Sequence, residues 1–340
     1  MSEPLASPTS LPESLRQSRA WSEARLAQLR SLLAQDAVGL DAFECVAVAG
    51  SLARGEAGPG SDVDCVVVGG DAVDEHESAP AMARVLQAIE DTGLRAPRAG
   101  GFFRRVVRRA ELLDPRGLGK LDESPHVYGK RLQCLLDTQP LTQPARYRAL
   151  RSEVLRWFTL GQGTSAPLAL LASELVRYRR SYVAYQTYDF THSDEDSWRL
   201  RMVKLRSSRL VTVAGLLALV GESSVREDPI AYVEDRLDLS PLDRLLQVMA
   251  PSRPALAIAV AEHYAEAHGA VSAASSRRAL VGEGDPVDRE RLASAETTTL
   301  GVWLPPALDS ALEDLARDVN DFFLTQRGHW ASWFFHALLL

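Results

Sequence analysis

The sequence predicts an α/β (α+β) domain running to about residue 140, then an all-α helical domain over residues 141–340. Three observations carry that reading. Two apolar runs of strand length, Val46-Ala47-Val48-Ala49 and Cys65-Val66-Val67-Val68, lie close together and are joined by a stretch rich in Gly, Ser and Pro. From Ala145 to Gly221 strand-like alternation disappears, and apolar residues recur at helical spacing. A chain of 340 residues also exceeds one small core, so two domains are the natural expectation.

The elements follow in order. Residues 1–14 are rich in Ser and Pro and are expected to be disordered, so the first domain is drawn over 15–140. Ser18 to Gln35 places Trp21, Leu26, Leu29, Leu32 and Leu33 at helical spacing. The two apolar runs follow as strands. Ala79 to Thr92 reads as a helix with Met82, Val85, Leu86 and Ile89 on one face and Gly93 as its stop. Phe102, Phe103, Val106 and Val107 suit a further strand. A helix starts at Ser124-Pro125, with Ser as cap and Pro at the first helical position, and stops before Pro140. Ala255–Ala267 and Leu308–Leu324 are helical by periodicity, while Ser272–Gly301 reads as a loop.

The chemistry concentrates between Val46 and Val68. The first apolar run ends in Gly50-Ser51, and Asp62-Val63-Asp64 runs straight into the second. Carboxylates at i and i+2 on a strand share a face. They repel one another unless a cation sits between them. Hard oxygen ligands of this kind suit Mg²⁺, commonly held by one or two carboxylates plus substrate phosphates. A Gly-Ser turn lets backbone N–H groups approach an anion. A phosphate cradle beside a metal seat points to nucleotide chemistry.

Gly-Ser after a first strand and Asp-x-Asp on the second resemble the signature of the DNA polymerase beta-like nucleotidyltransferase superfamily. Arg54-Gly55-Glu56 followed by Ser61-Asp62-Val63-Asp64 is most similar to the branch of bacterial PII-uridylyltransferases and their uncharacterised nucleotidyltransferase-like relatives. The resemblance implies a small mixed sheet, with a helical domain closing the nucleotide cleft. It also implies Mg²⁺-dependent transfer (Mn²⁺ being the alternative ion) of an NMP from an NTP such as ATP to a hydroxyl of a protein or small molecule, with release of pyrophosphate. Carried over position by position, Asp62 and Asp64 are the catalytic metal ligands, and Gly50 and Ser51 contact the β- and γ-phosphates. Arg54 either contacts phosphate or forms a salt bridge with Glu56 or Asp62. Active relatives add a third carboxylate. Glu111, after the apolar-basic stretch, is favoured over Asp137, which sits in LLDTQPL; that segment resembles one in the uridylyltransferase relatives. Without a third carboxylate the same fold would serve as an inactive nucleotide-binding sensor or interaction protein. Antibiotic nucleotidylation is the rival within the enzymatic class.

In the helical half, Glu174, Arg177 and Ser181 fall on one helical face, as do Arg201, Lys204 and Ser208. This second segment also resembles one in nucleotidyltransferase-like relatives, where basic residues face the cleft. Arg177, Lys204 and Arg209 are therefore candidates for triphosphate contacts. Tyr178, Tyr182, Tyr185 and Tyr188 suit a core row better than a base-stacking platform. Arg95, Arg98, Arg104, Arg105, Arg108 and Arg109 form a basic stretch that strand alternation would divide between two faces. His263 and His268 are off the i,i+4 register of a helical metal pair, and His126, near Lys130 and Arg131, reads as structural.

Bulk properties exclude several classes. Hydrophobic residues at 46% and charged residues at 24% describe an ordinary globular chain. A net charge of −7 argues against broad nucleic-acid binding. The three cysteines, Cys45, Cys65 and Cys134, make no paired motif and suit a reduced, cytoplasmic setting. No signal peptide is read at the start, and the longest apolar run, Leu210–Val220, is too short to span a bilayer.

Overall fold

The computed structural model describes residues 11–35, 37–71, 75–98, 101–192, 198–272 and 304–339. Most of the expected N-terminal tail and of the 272–301 loop lies outside those residues. Within them the first helix begins earlier than its apolar spacing suggested. Helix α1 spans Glu13–Gln35, with Leu15, Leu26, Leu29 and Leu33 buried.

Strand β1 (Phe43–Ala49) runs into the short helix α2 (Gly50–Arg54), and β2 (Asp64–Gly69) returns antiparallel to β1. Helix α3 (Glu75–Asp91) follows, and the chain reverses at Gly93, whose φ of 75° is the left-handed value a glycine stop supplies. The expected strand over Phe102–Val107 forms only in part. Phe102–Arg104 make a 3-10 turn, and β3 (Val106–Arg108) then pairs parallel to β2. Helices α4 (Arg109–Leu112) and α5 (Pro125–Leu136) come next. Ser124 takes the expected cap position of α5, but its side chain makes no capping bond.

The sequence reading carried α5 on toward Pro140; instead Gln139–Pro140 form a two-residue strand, β4, against β1. Proline lacks an N–H, and an edge position is where a strand tolerates it. The sheet is therefore small and mixed, in the order β3-β2-β1-β4. On one face Val46, Val48, Val63, Cys65 and Val67 join Leu29, Leu33, Val85 and Ile89 in a single core.

Helix α6 (Pro144–Trp157) packs on β1 and α5. Beyond it the described chain is helical: α7 (Ala169–His192), α8 (Trp198–Arg206), α9 (Ser208–Ser223), α10 (Pro229–Glu234), α11 (Pro241–Met249) and α12 (Pro254–Ser272), then Pro306–Thr325 and Ser332–Leu339. The chain groups into two compact units. The sheet unit comprises Arg16–Leu171 with Ser223–Pro241, so it takes in α6 and α10 and extends past the expected boundary at 140. The helical unit comprises Ala172–Glu222 and Leu242–Leu340, with the described start of the chain up to Leu15. Its centre is α12 against Pro306–Thr325, with α8 on both. Among the described residues no helix is long and apolar enough to cross a membrane.

Candidate nucleotide site

The antiparallel register sets Ala49 opposite Asp64, which brings the end of β1 beside the start of β2. Gly50 follows with φ 70°, and a Cβ built there would stand 2.7 Å from Oδ2 of Asp64. Both facts demand glycine: the left-handed backbone disfavours a side chain, and the carboxylate occupies its space. Asp64 thus leans directly over the turn that carries Ser51. Ala49, the N-cap of α2, gives no side-chain capping bond to the first N–H groups of that helix.

Asp62 precedes β2 and is held by its neighbour. The Val63 N–H donates to the Arg95 carbonyl at 2.9 Å, and Asp62 forms a parallel bridge with Arg95. Val63 is sealed in the core, so strand alternation turns Asp62 and Asp64 together to the other face. Asp62 is exposed and Asp64 half-buried.

Arg54 lies in α2, and its guanidinium is taken up by two carboxylates. Nε meets Glu56 at 2.7 Å, and Nη1 meets Asp137 at 2.6 Å. The Asp137 side chain is only 1% exposed. Of the alternatives open for Arg54, the structure forms the Glu56 bridge and adds Asp137. Gln139 ties the same corner by donating to the Ala53 carbonyl at 2.8 Å. Asp137 thus pairs with Arg54 of α2, and the LLDTQPL segment was the sequence signal that singled it out.

Glu111 is placed elsewhere. Val106–Arg108 pair with Val67–Gly69, so Glu111 follows beyond the Gly69 end of β2. Asp64 heads that strand, about 17 Å away at the strand rise. Glu111 accepts from the Arg108 side chain at 2.8 Å and its backbone at 2.9 Å, and those bonds hold its carboxyl below the usual range. Continued backward, the parallel register sets Phe103 beside Asp64, and the turn Phe102–Arg104 packs on β2 there. Aromatic and basic residues therefore stand where β3 would otherwise carry an acid.

The basic stretch is divided, but by the partners its members find and not by strand alternation, since only Arg108 lies in β3. Arg104 donates to the Pro97 carbonyl, Arg108 pairs with Glu111, and Arg109 with Glu44 and Glu153. In the helical unit, Arg177 pairs with Glu174 at 2.5 Å, joining two groups read on one face. The Arg209 guanidinium lies 5.3 Å from the Tyr182 ring, which stacks on Tyr178. The carbonyl of Lys204 accepts from Ser208 at 3.3 Å. The tyrosine row departs from the core expectation, since Tyr185 and Tyr188 are exposed. All three cysteines are buried free thiols, and desolvation pushes Cys65 up to about 12 and Cys134 to about 11.

Among the described residues no group of three His, Cys, Asp or Glu side chains converges as a complete metal cage. Asp62 and Asp64 nevertheless fit Mg²⁺, which takes one or two carboxylates and completes its shell with phosphate oxygens and water. No curated protein matches the chain. Residues 44–117, which hold β1 from its second residue on, the Gly50-Ser51 turn, the Asp62–Asp64 pair, β3 and Glu111, match the family described as nucleotidyltransferase domain.

Proposed function

We propose that the protein is an Mg²⁺-dependent nucleotidyltransferase that moves an NMP from an NTP to a hydroxyl of a protein or small molecule, releasing pyrophosphate. The observation that carries this reading is the Asp64 carboxylate 2.7 Å from the space a Gly50 side chain would fill, beside Asp62 and inside the matched segment. In this reading two carboxylates, a glycine turn and the Ser51 hydroxyl act together on the triphosphate. Mg²⁺ bound at Asp62 and Asp64 would neutralise triphosphate charge. The turn at Gly50 lets the backbone approach the β- and γ-phosphates, and Ser51 supplies a hydroxyl donor. The Arg54–Asp137 pair fixes α2, and with it the turn.

The test is transfer of label from each α-³²P NTP in a cell lysate with Mg²⁺ or Mn²⁺, comparing wild type with Asp62→Ala/Asp64→Ala. Label on a discrete protein or small product, lost by at least a hundredfold in the double variant, is the expected result. One observation favours a second reading, a catalytically silent nucleotide sensor: Glu111 lies at the far end of β2 from Asp64. NTP binding by wild type with no transfer to any acceptor would select that reading.

A further inference from the structure

Helix α5 carries two adjacent buried cations in opposite circumstances. Arg131 donates to the Leu112 carbonyl at 2.6 Å, pairs with Glu123 at 2.6 Å, and lies 3.8 Å from the centre of the Trp157 ring. Lys130 is equally buried, yet its Nζ has no hydrogen-bond partner. Burying an ammonium without a partner costs several kcal/mol. The chain contains only three lysines, at 120, 130 and 204, beside 35 arginines. A lysine is therefore not this chain's default cation.

Its surroundings are built. Nζ lies 5.3 Å from the centroid of the Phe102 ring, and His126, one helical turn earlier, stacks on that ring at 5.4 Å. His126 Nδ1 is likewise buried without a partner. Gly129 admits the ring, since a Cβ there would stand 2.9 Å from Phe102 Cζ. Phe102 belongs to the turn packed on β2, α5 packs on the same strand, and the parallel register continued backward sets Phe103 beside Asp64. The cluster therefore neighbours the carboxylate pair. The sheet order sets it on the β3 side of β2, with the Gly50-Ser51 turn on the β1 side.

We propose that Lys130 and His126, bracketing Phe102, form a phosphate-binding subsite beside Asp62 and Asp64. A phosphate oxygen would provide the partner that Nζ lacks. Its identity as a substrate phosphate rests on the transferase reading, and two sources share the chemistry: the tail of the NTP, or a phosphate borne by the acceptor.

The test uses the full chain and calorimetric titration with two probes: Mg²⁺–tripolyphosphate, and inorganic phosphate added to protein preloaded with Mg²⁺ and a mixture of the four NTPs. Lys130→Met keeps the apolar stem and removes the charge, so its melting temperature is expected to equal or exceed that of wild type. A tenfold or greater loss of tripolyphosphate affinity assigns the subsite to the nucleotide. Loss confined to inorganic phosphate on the preloaded protein assigns it to the acceptor. Unchanged affinity for both probes, or no binding of either by wild type, overturns the proposal. If Lys130→Met does not fold, His126→Gln carries the test, with threefold weakening expected and unchanged affinity for both probes overturning it. The two readings fail separately. Lys130-dependent binding with no NMP transfer sinks only the transferase, whereas transfer that needs Asp62 and Asp64, with binding indifferent to Lys130, sinks only the subsite.

Discussion

At the scale of single residues, the site depends on buried charges whose partners are far apart in sequence. Arg54 meets Glu56 two positions on and Asp137 eighty-three positions on, with all three side chains nearly sealed from water. Removing one member of such a group leaves uncompensated charge, which costs about 3–5 kcal/mol. Arg54→Ala is thus expected to lose stability of that size in urea titration, more than Asp137→Asn, which keeps an oxygen for the guanidinium. Lys130 supplies a pH signature. Burial lowers its ammonium from 10.5 to about 8, with Cys65 and Cys134 acting weakly in the opposite direction. Below that folded value both states hold the proton, and the burial penalty is fully present. Between the folded and unfolded values the unfolded chain holds more protons, so stability from this group rises with pH. Wild type should therefore gain about 3 kcal/mol relative to Lys130→Met as pH climbs through that window. Parallel pH profiles of the two proteins would refute it. The Asp62–Asp64 pair and Gly50 were legible because their chemistry is local: an i,i+2 spacing and a turn glycine. The Arg54–Asp137 pair was only half legible, since nothing in a linear sequence states which distant carboxylate an arginine will find.

At the scale of elements, legibility followed length and periodicity. Helices α1, α3 and α5 announced themselves through apolar spacing and stop signals, although α1 and α3 begin earlier than that spacing marked. Strand β4 did not, because two residues ending in proline carry no alternation; pairing with β1 creates it. The stretch before β3 misled for a related reason. Phe102 and Phe103 have strand propensity, but Phe102 is drawn into the gap that Gly129 leaves on α5. That gap makes a prediction opposite to helix propensity. In an open helix, Gly→Ala would stabilise by about 1 kcal/mol. Here the new methyl would meet the Phe102 ring at 2.9–3.1 Å, closer than side chains pack. Gly129→Ala is expected to lower stability by about 1–3 kcal/mol instead. Phe102→Ala introduced alongside it should restore part of the helix gain, and the thermal melts of the single and double variants decide the matter.

At the scale of the whole molecule, the expected break near residue 140 missed how the sheet unit is completed. Periodicity separates strand-rich from helix-rich sequence, but it does not report which helices return to the sheet. Helix α6 packs on β1, and α10 packs on α6, bringing residues 223–241 back after an excursion of about fifty residues. Among the described residues three ion pairs fasten that return: Arg151 with Asp238, Arg148 with the same carboxylate at 3.4 Å, and Arg156 with Glu234 at 3.1 Å. Arg151 also donates to the Leu237 carbonyl at 3.2 Å, and the Arg151 side chain is almost wholly buried. A fragment ending at Leu171 would keep every residue of the matched nucleotidyltransferase segment and every proposed ligand on the sheet. It would nevertheless leave the buried Arg151 without its carboxylate and the apolar faces of α6 without α10. Such a fragment is expected to bind a hydrophobic dye and to unfold without a sharp transition. Joining residues 223–241 to it through a flexible linker should restore cooperativity. If the 11–171 fragment instead melts as sharply as the linked version, the return segment is dispensable, and the sheet unit ends at α6.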